Sequence, residues 1–287
     1  MRSNLTLLLL LVVPLLQESE AKASSAFAAR PFVIDHLSIQ KFGRIPDKYL
    51  QEASQLRFLM RNASIGANID QGLNCLMNNF PDRPKRPHFC DRDISPGQVV
   101  FDRKYDRHNW IFEFRGNPGW WAKTRDFIDR VNQLGPGESY DVMSFNFNYG
   151  DAHPGSAIAD KFFKNDPGDN LPSAEDLEAL EAAHRSGTFV WWTMALARRS
   201  TIESQNFNRQ LRAYALAHKK VLLDIADIQS HRPDGSPCID SEGGGTEAIC
   251  QDYTNEKNSG HLNALGSQRM AQAIWVLMSR LAGWNEQ

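Results

Sequence analysis

The stretch Phe58-Leu-Met-Arg-Asn-Ala-Ser-Ile-Gly-Ala-Asn-Ile69 contains an apolar run, then a serine, then the start of a helix-like segment. The apolar run is typical of a buried strand, and the segment after it predicts a helix over residues 65–79. Ser64 would then lie at the carboxyl end of a strand and the N-terminus of a helix. In open α/β sheets ligands bind at this edge, and a helix N-terminus favours developing negative charge. Ser64 is therefore a candidate nucleophile, although a serine here can also simply cap the helix.

Apolar runs of strand length alternate with helix-like segments along most of the chain. The predicted strands are residues 57–60, 99–102, 110–114, 140–147, 189–196 and 221–225. The predicted helices are residues 65–79, 123–134, 173–184, 204–218 and 263–281. The strand at 189–196 is apolar on both faces, which is typical of a parallel strand covered on both sides. The alternation predicts an α/β fold: a single three-layer α/β/α domain with a mostly parallel central sheet.

The N-terminus has the features of a secretory signal peptide. Arg2 precedes the apolar run Leu5–Leu16, and the small residues Ala21 and Ala23 follow it. This run is too short for a membrane-spanning helix, which needs about 20 residues, although an uncleaved anchor is the alternative. We predict a signal peptide over residues 1–23, an N-terminal lead-in over 24–55 that begins as a loosely ordered segment, and a domain over 56–287. The mature protein would be secreted or periplasmic, with no membrane span.

Export changes how the four cysteines are interpreted. In an oxidising compartment an even number of cysteines favours two disulfides, and four cysteines allow three pairings. Cys75–Cys90 and Cys238–Cys250 are the simplest pairing because each closes a short loop. A zinc site is the alternative, but the sequence has no C-x-x-C pair and no adjacent cysteine–histidine cluster.

Composition and the lack of known motifs exclude several function classes. The 32 Lys and Arg residues against 34 Asp and Glu residues give a net charge of −2, which offers no general attraction to nucleic acid or to an anionic membrane. The sequence has no Walker loop, no G-x-G-x-x-G and no H-E-x-x-H, which removes the usual nucleotide, dinucleotide and zinc-protease signatures. We therefore expect no cofactor, no metal and no nucleic-acid partner.

A second candidate lies at the other end of the chain. Ser259-Gly-His-Leu-Asn-Ala-Leu-Gly266 directly precedes the last predicted helix, so His261 lies in a glycine-containing loop at a helix start. Histidine is the side chain best suited to move a proton near neutral pH. His261 is therefore a candidate general base, although a surface or capping histidine is the alternative.

Together these segments resemble the SGNH (GDSL-like) hydrolase superfamily over roughly residues 56–283. In that family the nucleophilic serine follows the first strand, and the catalytic histidine lies in a D-x-x-H block before the last helix. Ser64 and His261 occupy these two places. Residues 110–119 resemble the family's second block and residues 140–151 resemble its third. The resemblance implies that the residues forming the oxyanion and binding site are Gly116, Asn117, Asn148 and Asp151.

The chain departs from the family pattern at the residue that orients the histidine. D-x-x-H becomes Asn258-Ser-Gly-His261, so the resemblance puts Asn258 in the third catalytic position. In a serine–histidine–aspartate triad the carboxylate fixes the tautomer of the ring, and an asparagine there can lower kcat about 10⁴-fold. A backbone carbonyl, Asp252 or Glu256 could take over this role.

The third block also departs from the family pattern. It usually reads G-x-N-D, but here Gly150 stands where the oxyanion asparagine is expected. Asn146 or Asn148 could supply the amide from a shifted position.

The resemblance implies a serine esterase that hydrolyses an acyl ester through an acyl-enzyme and needs no cofactor. The substrate would be a small-molecule or carbohydrate ester; Trp120 and Trp121, just after the proposed oxyanion loop, favour a sugar unless they are core residues. The missing aspartate favours instead a catalytically silent binding protein of the same fold. An acyltransferase, in which a sugar hydroxyl replaces water, is a third possibility because it would use the same acyl-enzyme.

Overall fold

The computed structural model describes residues 31–77, 102–107, 109–116, 119–158 and 172–285. The predicted signal peptide, Cys90, Asn117 and all but the last residue of the predicted strand at 99–102 lie outside these residues. Asp102 is described, and it forms an isolated parallel bridge with Met77. Cys238 and Cys250 form a disulfide, which confirms that pairing.

Six strands form one parallel sheet at the centre of the molecule. They are β1 (Phe32–Ile34), β2 (Phe58–Asn62), β3 (Trp110–Phe114), β4 (Val142–Phe145), β5 (Thr188–Trp192) and β6 (Val221–Leu223). Their order across the sheet is β1-β6-β5-β4-β2-β3, and each neighbouring pair is parallel. A short antiparallel pair, β7 (Ile239–Asp240) and β8 (Thr246–Glu247), lies outside this sheet.

The described α-helices cover both faces of the sheet. They are α1 (His36–Ile39), α2 (Asp47–Gln55), α3 (Ile65–Leu76), α4 (Trp120–Asn132), α5 (Ala174–Ala183), α6 (Ile202–Ala217), α7 (Ile225–Gln229) and α8 (Ala264–Leu281). Successive side chains of β2 point to opposite faces, so Phe58 and Met60 pack in the core with α3 and α8. Leu59 packs on the other side with α4, α5 and α6. The predicted three-layer α/β/α fold is therefore confirmed.

The segment before residue 46 is ordered rather than loose, which corrects the prediction for its described part. Phe32–Ile34 pairs with β6 as an edge strand, and Ile34 is fully buried. Three residues are too short a run to stand out in the sequence, and their order comes from pairing with a strand almost 190 residues later.

The order of the strands defines where a ligand site belongs. From β2 the chain moves outward to β3 and then returns to the other side of β2 to form β4. The order β3-β2-β4-β5-β6 is that of flavodoxin-like sheets, in which ligands bind at the carboxyl edge where the direction of winding reverses. This point lies between β2 and β4, so the residues that follow these two strands face one crevice.

Across the described residues, no helix combines the length and the apolar character that crossing a membrane requires.

Candidate active site

Ser64 lies in a tight turn between β2 and α3. All five residues of β2 are buried, and α3 begins at Ile65. The backbone of Ser64 has φ 49° and ψ −98°, a strained combination for a residue other than glycine. Its side chain makes no capping hydrogen bond to α3, so the structure excludes the interpretation of Ser64 as a helix cap. The turn instead presents the hydroxyl to a cleft, a placement that the strand–turn–helix of α/β-hydrolases also gives to a serine.

Asn146, just after β4, fixes the backbone of this turn. Its Oδ1 accepts from the Ala63 N–H at 3.1 Å, and its Nδ2 donates to the Ala63 carbonyl at 3.1 Å. The amide lies so close to α3 that a Cβ on Gly66 would be 2.5 Å from Asn146 Oδ1. Glycine is therefore required at position 66, and the buried asparagine holds the segment that carries Ser64.

His261 faces Ser64 from the loop before α8. Its Nε2 lies 2.7 Å from Ser64 Oγ, although 197 residues separate the two in the chain. The loop is attached to α3 through the Leu262 N–H, which donates to Asn68 Oδ1 at 3.1 Å. It also passes so close to the segment after β5 that a Cβ on Gly260 would lie 2.1 Å from the Leu196 carbonyl oxygen. The two segments that the sequence singled out therefore meet over the crevice.

Glu256 holds the other side of the His261 ring. Its Oε1 lies 2.9 Å from Nδ1, and its Oε2 accepts from the His261 backbone N–H at 2.9 Å. Because an ionised carboxylate can only accept, this contact fixes the hydrogen on Nδ1 and leaves the lone pair of Nε2 for the Ser64 hydroxyl. Ser64, His261 and Glu256 thus have the contacts of a catalytic triad.

Glu256 and not Asn258 occupies the orienting position. The Asn258 carbonyl accepts from the Arg199 N–H at 3.1 Å, so this residue connects the loop to the segment after β5. Asp252, another candidate, pairs with Arg232 at 3.0 Å. Glu256 stands two residues before the position that the sequence resemblance singles out, and the backbone of the loop brings its carboxylate to His261 Nδ1.

Tyr149 packs against the edge of the His261 ring. The two rings are T-shaped, with centroids 5.5 Å apart, and Tyr149 Oη lies 3.2 Å from Nδ1. Burial raises the pKa of Tyr149, so its hydroxyl stays protonated at neutral pH. The Nδ1 hydrogen therefore has Glu256 as its near acceptor and Tyr149 as a longer second contact. Sequence reasoning missed this residue.

Asn148 is the amide that faces the cleft beside Ser64. Its Oδ1 accepts from Asn146 Nδ2 at 2.9 Å and from the Ile65 N–H at 3.3 Å. These two contacts hold the side-chain amide beside Ser64. The backbone N–H of Ser64 is a second donor beside the cleft, and it has no acceptor among the described residues.

The loop between β3 and α4 contributes a different glycine from the one predicted. Gly116 lines a neighbouring pocket with Ala63 and Asn146, whereas Gly119 lines the cleft of Ser64. Gly119 has φ +98°, a backbone conformation that favours glycine. The predicted Asn117 lies outside the described residues.

Asp151 lies under the cleft in a buried ion pair with Lys123. Their charged atoms are 2.6 Å apart, and the same carboxylate oxygen accepts from the Asn148 backbone N–H at 2.7 Å. Burial raises the pKa of Asp151 and lowers the pKa of Lys123, and the attraction between the two opposes both shifts. Asp151, which the sequence predicted as a binding residue, therefore fixes the backbone of Asn148.

Around Ser64 the cleft has a volume of about 300 Å³ and is open to solvent. It is lined by Ser64, Gly119, Asn148, Tyr149, Gly150, Asp151, His153 and His261. A second cavity, of only about 20 Å³, lies in the core and is walled by aromatic and aliphatic side chains such as Phe127, Phe207 and Leu211, none of which can carry acid–base chemistry. Trp121 is half-buried and packs on that core, which favours a structural role.

Comparison with known proteins gives little beyond this geometry. No family model and no curated protein sequence matches the chain. Among solved structures it is similar to a "putative acylhydrolase" from Bacteroides fragilis, at 14% identity over 82% of this chain and 96% of that one, with a TM-score of 0.39. A similarity this weak carries no argument about activity.

Proposed function

We propose that this chain is an exported serine esterase that hydrolyses short acyl esters through an acyl-enzyme on Ser64. One observation carries the proposal. Ser64 Oγ lies 2.7 Å from His261 Nε2, while His261 Nδ1 lies 2.9 Å from a Glu256 oxygen. A hydroxyl, an imidazole and a carboxylate in this order are the groups that activate a serine for attack on a carbonyl.

In the proposed reaction Ser64 Oγ attacks the acyl carbon and its proton passes to His261 Nε2. The tetrahedral intermediate collapses, the ester C–O bond breaks, and the leaving alcohol takes the proton from Nε2. Water then attacks the acyl-enzyme with His261 as base, which releases the acid and restores Ser64. Glu256 stabilises the imidazolium that forms in each half of the reaction.

Donors beside Ser64 would stabilise the oxyanion. The Ser64 N–H and the Asn148 side-chain amide are the two candidates, and Gly119 also lines the cleft. Donors fixed in advance at the place where charge develops need not reorganise during the reaction, and each contributes roughly 10²–10³ in kcat. Asn146 and the Lys123–Asp151 pair would keep the first two in place.

Cleft composition supports a short acyl group on a polar alcohol. Among the described residues that line it, none is aliphatic, so the cleft offers no aliphatic surface for a long acyl chain. His261 is 45% exposed, which gives water access to the acyl-enzyme and supports hydrolysis over transfer to a second alcohol. Acetyl esters, including those of sugars, are the class that fits.

The test compares the purified mature protein with Ser64→Ala and with Ser236→Ala, which removes a half-buried serine that does not line the cleft. We expect a fluorophosphonate probe to label the wild type and Ser236→Ala but not Ser64→Ala. Hydrolysis of p-nitrophenyl acetate should fall about 10³-fold or more in Ser64→Ala, and the wild type should prefer acetate to octanoate.

Labelling that persists in Ser64→Ala would mean that the probe reacts with a residue other than Ser64. A folded wild type that neither reacts with the probe nor cleaves the ester would contradict the proposal and favour a silent binding protein.

A further inference from the structure

A second histidine–carboxylate cluster lies at the same edge of the sheet as Ser64 but near the opposite end. His36 begins α1 just after β1, Asp227 lies in α7 just after β6, and His231 follows α7. Four strand spacings separate β1 from β2, or about 19 Å. The cluster is therefore separate from the cleft of Ser64.

Asp227 contacts both imidazoles. Its Oδ2 lies 2.6 Å from His36 Nδ1. His231 Nδ1 lies 2.8 Å from the Asp227 backbone carbonyl oxygen and 3.4 Å from Asp227 Oδ1. The two rings are stacked, with centroids 3.9 Å apart and planes 9° from parallel. The side chains of His36, Asp227 and His231 are 16%, 20% and 20% exposed, so the group is largely shielded but open on one side.

We propose that His36, Asp227 and His231 bind one divalent transition-metal ion, of which zinc fits best. One potential ligand atom from each residue lies within 4.8 Å of the other two. Two imidazoles and one carboxylate suit zinc, whereas calcium and magnesium prefer oxygen ligands only. Three protein ligands leave one coordination position for water.

Metal binding would change two features of the cluster. The Nδ1 hydrogens that now face oxygen atoms of Asp227 would move to Nε2, so that both Nδ1 lone pairs are available. Stacked rings direct these lone pairs alongside each other, and not toward one point. One ring must therefore turn out of the stack so that both lone pairs reach the ion, most simply the ring of His231, which follows the end of α7. Asp227 Oδ2 already accepts from the His36 backbone N–H at 2.8 Å, which holds the other two ligands in place.

The bound ion would connect the first strand and helix to α7. We therefore expect a structural site that stabilises the N-terminal part of the fold, and not a participant in chemistry at Ser64.

Zinc affinity can be measured on the untagged mature protein by competition with a chromophoric chelator. We compare the wild type with His36→Gln and with His231→Phe, which keeps a ring for stacking. The matched control is His218→Phe, because His218 also stacks on a ring (Tyr214) and contacts a carboxylate (Glu178 at 2.8 Å). That site has only one imidazole.

We expect the wild type and His218→Phe to bind one zinc per chain, and each of the other two variants to bind at least tenfold more weakly. Magnesium should not compete, and zinc should raise the unfolding temperature of the wild type but not of His231→Phe. Failure of the folded wild type to bind zinc stoichiometrically would overturn the proposal. So would zinc binding that survives unchanged in the folded His36→Gln or His231→Phe variant.

Discussion

Ser64 lies on a segment whose neighbours are buried, whereas His261 lies on an exposed loop. The strand before Ser64 is buried along its whole length, and the turn is held by the two hydrogen bonds from Asn146 to Ala63. The side chains of His261 and Glu256 are 45% and 38% exposed, and the loop is held by hydrogen bonds at the rim of the cleft. We call these the serine side and the histidine side of the site.

The difference indicates how each side contributes. Buried hydrogen bonds are costly to break, so the serine side couples the position of Ser64 to the stability of the fold. Exposed ion pairs contribute little to stability, so the histidine side can be changed with little effect on the fold. Substitutions on the histidine side should therefore lower turnover alone, and those on the serine side should lower stability as well.

The largest effect is expected from Glu256→Gln. An amide can present its NH₂ group to Nδ1, which favours the wrong tautomer and removes the charge that stabilises the imidazolium. We expect kcat for p-nitrophenyl acetate to fall roughly 10²–10⁴-fold. The unfolding temperature should change little because the pair is exposed.

Asn258→Ala is the matched control for Glu256→Gln, since it removes the side chain that the family resemblance singles out and leaves the backbone contact to Arg199. Its kcat should stay near that of the wild type. Equal losses in the two variants would mean that the loop, and not the carboxylate on Nδ1, sets the activity.

The next effect is expected from Asn146→Ala on the serine side. It should be smaller than the effect of Glu256→Gln when both are expressed as free energies. The buried Ala63 N–H loses its Asn146 acceptor, which costs about 1–3 kcal/mol for a buried polar group. The Ala63 carbonyl loses the Asn146 donor but keeps the hydrogen bond from the Gly66 N–H at 2.9 Å. We expect urea unfolding to give a free energy of unfolding lower by about 1–3 kcal/mol, together with a loss of turnover. Unchanged stability in this variant would remove the distinction between the two sides.

The sequence predicted the parts of this structure that depend on local patterns. The buried strand, the serine after it and the helix that follows form one continuous signal, and the glycine-containing loop before α8 marks His261 in the same way. Their meeting was expected only through the family resemblance. The core helices lie within a few residues of their predicted bounds because their apolar faces repeat with the helical period.

Other parts depend on contacts that no short segment encodes. Glu256 is one of several acidic residues in an irregular loop, and only the path of the backbone brings it rather than Asp252 to His261. The strand at Phe32–Ile34 is ordered by its partner β6, and His36 meets Asp227 across 191 positions. Gly119 replaces Gly116 in the cleft because the turn into α4, and not the end of β3, reaches Ser64.

The smallest effect is expected from Tyr149→Phe, which tests whether Glu256 alone orients His261. The Tyr149 hydroxyl is 3.2 Å from Nδ1, longer than the 2.9 Å contact of Glu256, and carries no charge at neutral pH. The phenylalanine ring keeps the edge contact with His261. The substitution removes the contact to Nδ1 and the hydrogen bonds of the hydroxyl with the Ser259 side chain and the Gly260 backbone, all of them to an uncharged phenol. We expect kcat to fall roughly fivefold, the equivalent of about 1 kcal/mol at Nδ1. The pH dependence of kcat/KM should keep its shape, since Glu256 still fixes the tautomer. A loss of kcat as large as that in Glu256→Gln, or a shifted pH profile, would show that Tyr149 shares the orienting role. The histidine side would then depend on the partly buried tyrosine as well as on the exposed carboxylate.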